Sequence, residues 1–430
     1  MYKTLRVLIG FAAICLTHAA QAQKIANTPY SRYGLGEYNY NLGNVRNAGM
    51  AGVGISAGNS YQANTANPAL LYYNSITVFD MGIAGEVKSI KNESQKQIDS
   101  NANLYNLTLA VPVSKRWSAA VGLRPYTTVN YEIRSTSALE SNPRAIIESR
   151  YTGEGGLSEI FFGHGVKVAD GLTVGGSASY VFGTITKEAA SLVQDDSLAN
   201  IGQTRIVYSE RTRYDSFLFR AGANYRKQLR DKLYLSTGVV YALSTDFEAE
   251  RKASYERRTL SDNVVDENIL PDSSTTNINV PSSLRAGITV DNGTNLTLGA
   301  DLYMQQWSKF SGFDGRSDLA DSYRVAVGGE FTPDANSIDN FFKRITYRTG
   351  VYYGNSPYKI NGEQITDKGV TAGFTMPLGR STIYDLYQLN AAIGYGNRGT
   401  TDNGLIAENY FQFSVGFTVN SRWFIKRRIE

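Results

Sequence analysis

The sequence predicts an all-β fold, a transmembrane antiparallel β-barrel of about 14 strands with an N-terminal hatch in the lumen. Three observations predict it. Bulky apolar residues alternate with small or polar ones in segment after segment, the links between those segments alternate short and long, and the only long apolar run reads as an export signal.

That signal comes first. Lys3 and Arg6 precede the apolar run Val7 to Leu16, and Ala20-Gln21-Ala22 is a small-x-small site cleavable before Gln23, so residues 1–22 read as a secretory signal peptide. A lipidated Cys15 is disfavoured because Ile14 stands where lipidation needs a small side chain. Cleavage would remove the only Cys, one of the two His, and two of the 43 Lys+Arg, leaving 41 basic against 39 acidic residues. Such a near-neutral chain, with His164 its single imidazole, has no disulfide, no thiolate nucleophile, no Cys-based zinc site and no multi-His metal site. After the signal no stretch of 18 or more apolar residues occurs, which excludes helical spans. The 29 Tyr and 41 Gly against 10 Pro suit many strands with aromatics at the membrane interfaces. One or two soluble β domains share that composition, and the strand pattern decides between them.

Residues 23–75 carry no strand alternation, are rich in Asn, Gly, Ala and Tyr, and are too apolar for a solvated tail. They are expected to fold back as a hatch or plug; a disordered periplasmic leader is the alternative. The barrel is expected over 76–424. Its clearest strand sets Phe411, Phe413, Val415, Phe417 and Val419 against Gln412, Ser414, Gly416, Thr418 and Asn420, which suits lipid on one face and a polar lumen on the other. Similar dyads run through Leu284–Val290 and Leu296–Met304. Strands are expected near 76–90, 103–115, 117–135, 156–169, 172–187, 205–229, 233–251, 281–292, 295–307, 322–333, 343–357, 366–379, 386–398 and 406–419.

The links after the second, fourth, sixth and eighth segments are short, and those after the first, third, fifth, seventh and ninth are long and polar. That parity fits periplasmic turns alternating with external loops, with both termini in the periplasm, and it places the chain in the cell outer membrane among outer-membrane lipid. Three links depart from it: Pro333 to Lys343 is long on the periplasmic side, and 358–365 and 399–405 are short on the external side. Ser254 to Pro281 is the longest and most polar loop, and 425–430 form a basic periplasmic tail.

Candidate chemistry is sparse. Gly52-Val53-Gly54-Ile55-Ser56-Ala57 fits a loose dinucleotide pattern but lacks the preceding strand and following helix that would present amides to a pyrophosphate. His164 falls on the expected lipid face with Ile160, Phe162 and Val166, a poor position for a general base. Asp195-Asp196 reads as a solvated loop rather than a calcium site, and Lys426-Arg427-Arg428 as the flank of the last strand rather than a nucleic-acid site. Lumen-facing Arg285 and Asp301 are expected to pair. No enzyme activity, cofactor, metal or nucleic-acid partner is expected. Pro125 in the third segment lies beside Pro112 in the second; neither can give an N–H to a closed ladder, so a bulge or gap is expected near Gly122.

Arg46-Asn47-Ala48-Gly49-Met50-Ala51-Gly52, followed by Asn67-Pro68-Ala69 and then a first strand, resembles the N-terminal hatch of the FadL/TodX family of outer-membrane proteins. The resemblance implies a channel for long-chain fatty acids or other hydrophobic small molecules. Its hatch would be built on Gly49, Gly52, Asn67, Pro68 and Ala69, and its lateral exit would lie at a kinked third strand, here Gly122, Arg124, Pro125 and Tyr126. FadL-like barrels also include PorV-type accessory barrels of type IX secretion, which implies a second reading: an interaction barrel attached to a secretion-machine protein. The tail Trp423-Phe424 followed by Ile425 to Glu430 departs from the terminal aromatic expected of such a barrel. A transporter needs an apolar pocket of roughly a few hundred cubic ångströms; an interaction barrel needs an exposed apolar or aromatic patch.

Overall fold

The computed structural model describes residues 28–421 apart from 94, 141, 195–203, 271–273, 314–318 and 381–385. The signal peptide, Asp195-Asp196, Trp423-Phe424 and the basic tail lie outside the described residues.

Fourteen antiparallel strands form the wall. They are β1 (Thr77–Lys91), β2 (Lys96–Ser114), β3 (Trp117–Leu139), β4 (Asn142–Ala169), β5 (Leu172–Gln194), β6 (Thr204–Arg230) and β7 (Leu233–Ala242, resumed at Thr245–Thr259). Then follow β8 (Val264–Ile269, Ser274–Val280 and Ser283–Asp291), β9 (Leu296–Gln305), β10 (Ser322–Phe331), β11 (Thr346–Ile360), β12 (Glu363–Arg380), β13 (Leu386–Arg398) and β14 (Ala407–Ser421). A ladder from Ala407–Lys91 to Ser421–Thr77 joins β14 to β1 and closes the sheet on itself.

The dyad pattern sets the faces. Phe411, Phe413, Val415 and Phe417 are exposed on the outside, while Ser414, Thr418 and Asn420 are buried on the inside. His164 stands on the outer face, its ring 6.1 Å from that of Phe162. At ~3.3 Å per residue, the 28-residue β4 far exceeds the 9–11 residues that cross a membrane. With β3 and β5–β8 it therefore rises well beyond the lipid band as a sheet.

This rise corrects the expected boundaries. The loop expected over Ser254 to Pro281 is instead laddered: Val264–Ile269 runs along Ser254–Arg258, and Ser274–Val280 along Thr245–Arg251. Outside the lipid both faces of a strand can meet water, so its sequence carries no apolar alternation to betray it. The starts of β2 and β4 were missed for the same reason.

An Arg at Phe413 should lower folding stability in lipid vesicles by about 2–4 kcal/mol, measured by urea titration. An Arg at Ser414, which borders an internal cavity, should cost clearly less. Equal costs would overturn the register.

Candidate functional site

The site is the inner face of the barrel and what lies against it. Residues 28–74 fold into short turns, Pro29–Arg32, Val45–Ala48 and Pro68–Tyr73, held by side-chain amides. Asn67 accepts from the Ala69 amide at 3.0 Å and donates to the carbonyls of Ile55 (2.8 Å) and Ala223 in β6 (3.1 Å). Pro68 stands at the first position of its turn, where its missing N–H costs nothing. The Asn47 side chain accepts from the Asn44 amide and donates to the Val53 carbonyl at 2.8 Å, closing the chain around Gly49 and Gly52. Gly52 has φ +90°, a left-handed conformation.

The wall meets this segment with glycine. Cross-strand sets Gly165–Gly175–Gly222, Gly238–Gly287, Gly299–Gly328–Gly350 and Gly416–Gly82 turn towards it. A Cβ on Gly350 would lie 2.5 Å from the Met50 carbonyl carbon, and one on Gly175 2.5 Å from the Ala69 nitrogen. Both are closer than real atoms come, so the segment's main chain touches the wall's main chain. Gly49 itself sits against Gly373 in β12.

Buried charges fix the same segment. Arg46 grips Glu330 in β10 through Nε (3.0 Å) and Nη2 (2.5 Å), and Arg348 in β11 joins the same carboxylate at 2.9 Å. Glu37 meets Arg398 in β13 at 2.5 Å and Lys88 in β1 at 3.3 Å. Burial alone would raise the Glu37 carboxyl, but the facing Arg398 and Lys88 cations overcome it and hold the group down to about 2. Asp301 accepts the Gly54 and Ile55 amides at 2.7 and 3.0 Å, while Arg285 donates to the Tyr40 carbonyl and lies over the Tyr303 ring. The expected Arg285–Asp301 pair is therefore not formed, since each residue is engaged by the N-terminal segment or a neighbouring ring. The dinucleotide-like Gly52 to Ala57 stretch gives its amides to Asp301 rather than presenting them at a helix start.

The four residues expected at a lateral exit divide. Arg124 points inward and is buried, bound to Glu159 at 3.1 and 3.2 Å and to the Leu42 carbonyl at 2.5 Å; Arg220 holds the other side of Glu159. Tyr126 lies against Tyr38 and Phe247. Gly122 and Pro125 flank a fork in the wall. The β2–β3 ladder runs only from Ser114–Trp117 to Leu107–Leu123. Above it β2 shifts register opposite Gly82–Ile83 and β3 shifts between Pro125 and Thr127. Glu37–Tyr38 takes the vacated edge, pairing with Thr128–Thr127, while the Thr28 and Asn39 amides reach the Asn130 and Tyr126 carbonyls at 2.7 and 3.1 Å. Sequence reasoning marked Pro125 but missed Tyr105 at the facing shift and the strand that fills the fork.

The interior holds two sizeable cavities among the described residues. One of about 460 Å³ at the short-turn end is bordered by Gln62, Arg226, Asp291, Glu330, Arg344 and Arg348. The other, about 210 Å³, reaches the fork beside Pro125 and is bordered by Glu37, Glu86, Tyr105, Arg324 and Gln412. Towards the opposite end Leu35, Leu157, Phe247, Trp307, Tyr358 and Leu405 fill the space between the strands as one buried cluster. Among the described residues no group of three His, Cys, Asp or Glu is placed to hold a metal ion.

The closed wall of fourteen antiparallel strands, with residues 28–74 against its inward glycines, defines a transmembrane antiparallel β-barrel. Solved structures share the fold. The CymD monoaromatic hydrocarbon channel is 16% identical with a TM-score of 0.56, matching 90% of this chain and 99% of its own. The Ralstonia pickettii toluene transporter TbuX is 15% identical, TM-score 0.57, over 89% and 100%. A Pseudomonas aeruginosa FadL homologue is 13% identical, TM-score 0.57, over 90% and 100%. No curated protein matches in sequence. The BamG family model matches residues 1–430, and the chain belongs to the BamG family.

Replacing Glu330 by Ala leaves Arg46 and Arg348 facing each other without a counter-charge, a change of the kind that costs about 3–5 kcal/mol when buried. Hydrogen exchange across residues 44–57 should rise sharply; unchanged protection would show that the Arg46–Glu330 pair does not hold the segment. Glu37 gives a pH dependence. Its folded value near 2 lies below its ordinary value near 4.5, so its contribution is complete above that value and disappears as pH falls towards 2. The melting temperature of the native protein should therefore converge on that of Glu37→Gln between about pH 5 and pH 2.

Proposed function

We propose that the protein is an outer-membrane accessory barrel, one that holds other envelope proteins and whose N-terminal segment acts as a hatch sealing the lumen. The polar lining of the larger cavity carries this reading. A hydrophobic-compound channel needs an apolar pocket of roughly a few hundred cubic ångströms, whereas the 460 Å³ cavity is bordered mainly by carboxylates, guanidinium groups and amides, and the 210 Å³ cavity sets Glu37, Glu86 and Arg324 beside Leu104, Tyr105 and Ile393. The apolar side chains that would line such a pocket contact one another instead. The outward band of Phe, Val, Leu and Tyr suits lipid, and the short turns suit the periplasmic side, as in outer-membrane barrels.

A second reading, uptake of fatty acids or other hydrophobic small molecules with lateral exit near Gly122, Arg124, Pro125 and Tyr126, draws on the fork. The β2–β3 ladder stops there and the 210 Å³ cavity reaches it. The proteins of similar fold described as hydrocarbon or toluene transporters support it through architecture.

Gently purified protein separates the two. An accessory barrel should be silent in planar bilayers, free of bound hydrocarbon or fatty acid by lipidomic mass spectrometry, and accompanied by another envelope protein in fixed ratio. A bound hydrophobic ligand without any companion protein would overturn the accessory reading. Deleting residues 24–62 should raise conductance if these residues are the hatch. Pro125→Val restores a backbone donor beside the fork; reduced ligand uptake by this correctly folded variant would favour the exit, and undiminished uptake would reject it.

A further inference from the structure

The link between β10 and β11 is the long exception among the short-turn connections, and it borders the 460 Å³ cavity through Thr332, Ala335, Asn336 and Arg344. It is a built loop. The Asp334 amide donates to the Lys343 carbonyl at 2.8 Å, Asn340 caps the turn Phe341–Arg344 by accepting from the Phe342 amide at 2.9 Å, and Thr332 meets Thr346 across its base at 2.7 Å. This ordered frame displays apolar side chains to water: Ile338 is 93% exposed and Phe342 68%. A loop that only connected two strands would gain nothing from either.

The cavity beside it carries an unanswered charge. Its two carboxylates are already engaged, Glu330 by Arg46 and Arg348 and Asp291 by Arg226 at 2.7 Å. Arg344 has no carboxylate partner among the described residues; its Nε is buried without an acceptor, and its guanidinium rests 5.0 Å over the Phe341 ring. The Gln62 oxygen at the cavity's inner side is likewise buried without a partner. A planar cation beside an open polar cavity and two exposed apolar side chains matches a carboxylate flanked by apolar residues.

We propose that this end of the barrel docks an extended acidic segment of a periplasmic protein, with a carboxylate on Arg344 at the cavity mouth and an apolar side chain against Ile338 and Phe342. The proposal rests on the accessory reading and deepens it by naming the face and chemistry of contact.

The test uses the full protein in lipid nanodiscs and a labelled probe peptide, acetyl-Leu-Glu-Phe-Asp-Leu-amide, with its uncharged twin acetyl-Leu-Gln-Phe-Asn-Leu-amide, read by fluorescence anisotropy. The acidic peptide should bind at least about tenfold more tightly than the twin. Arg344→Gln should reduce it to the level of the twin, Arg344→Lys should restore part of the difference, and Phe342→Ser should weaken both peptides alike. These residues are at the surface or at a cavity mouth, and unchanged heat-modified gel mobility will verify that each variant folds. Equal binding of the two peptides, or indifference to Arg344→Gln, would overturn the dock. So would a blue-shifted emission of Phe342→Trp in peptide-free anionic nanodiscs, which would assign the loop to the lipid. A silent, ligand-free barrel that ignores the acidic peptide rejects the dock alone; a conducting barrel that binds it rejects the accessory reading alone.

Discussion

Main chain resting on main chain is the constraint from which the interior follows. Where Met50 meets Gly328 and Gly350, or Pro68 meets Gly165 and Gly175, any side chain on the wall would collide with the segment. Such contact leaves little room for water, so polar groups there must find protein partners. That requirement explains the density of side-chain amides in the segment: Asn47, Asn64 and Asn67 each answer backbone carbonyls that an ordinary helix or strand would have satisfied. It also explains why Arg46 and Glu37 carry their charges to groups of opposite charge on the wall rather than to solvent.

The buried ion groups act as registration marks. Arg46 reaches β10, Glu37 reaches β1 and β13, and Asp301 of β9 reaches back to Gly54 and Ile55, so the segment is located against four separate strands. Buried pairs add little net stability over a well-filled apolar core, but misplacing one leaves an unpaired charge, which penalises any other seating. Contact alone would let the segment slide along the glycines; the charges choose one position.

Much of this architecture was readable in advance where lipid imposes a rule. β14 was legible from Phe411 to Val419 because one face meets hydrocarbon and the other does not, and the same rule exposed β8 below Pro281 and β9. Above the lipid the rule lapses, and Val264–Ile269 and Ser274–Val280 looked like loop although each is hydrogen-bonded along its length. The inward glycines were visible as the small member of each alternation, but nothing local told that their neighbour was a distant segment. Arg124, Glu159 and Arg220 come from three strands, and no spacing in the chain announces that they meet. Pro125 was legible because proline's missing donor is a local fact; the answering shift at Tyr105 and the filling strand Glu37–Tyr38 are products of tertiary contact.

The fork gives the molecule uneven stiffness. Below Leu107–Leu123 every strand is hydrogen-bonded on both sides, so changing the girth of the barrel there would require breaking a ladder. Above it the hoop is interrupted, and among the described residues Glu37–Tyr38 and two amides of the N-terminal segment are hydrogen-bonded along the β3 edge. An interrupted hoop opens by bending, a much softer deformation than stretching a closed one. The rim can therefore widen or narrow under lateral load while the base keeps its circumference, like a clip hinged on its own lower half.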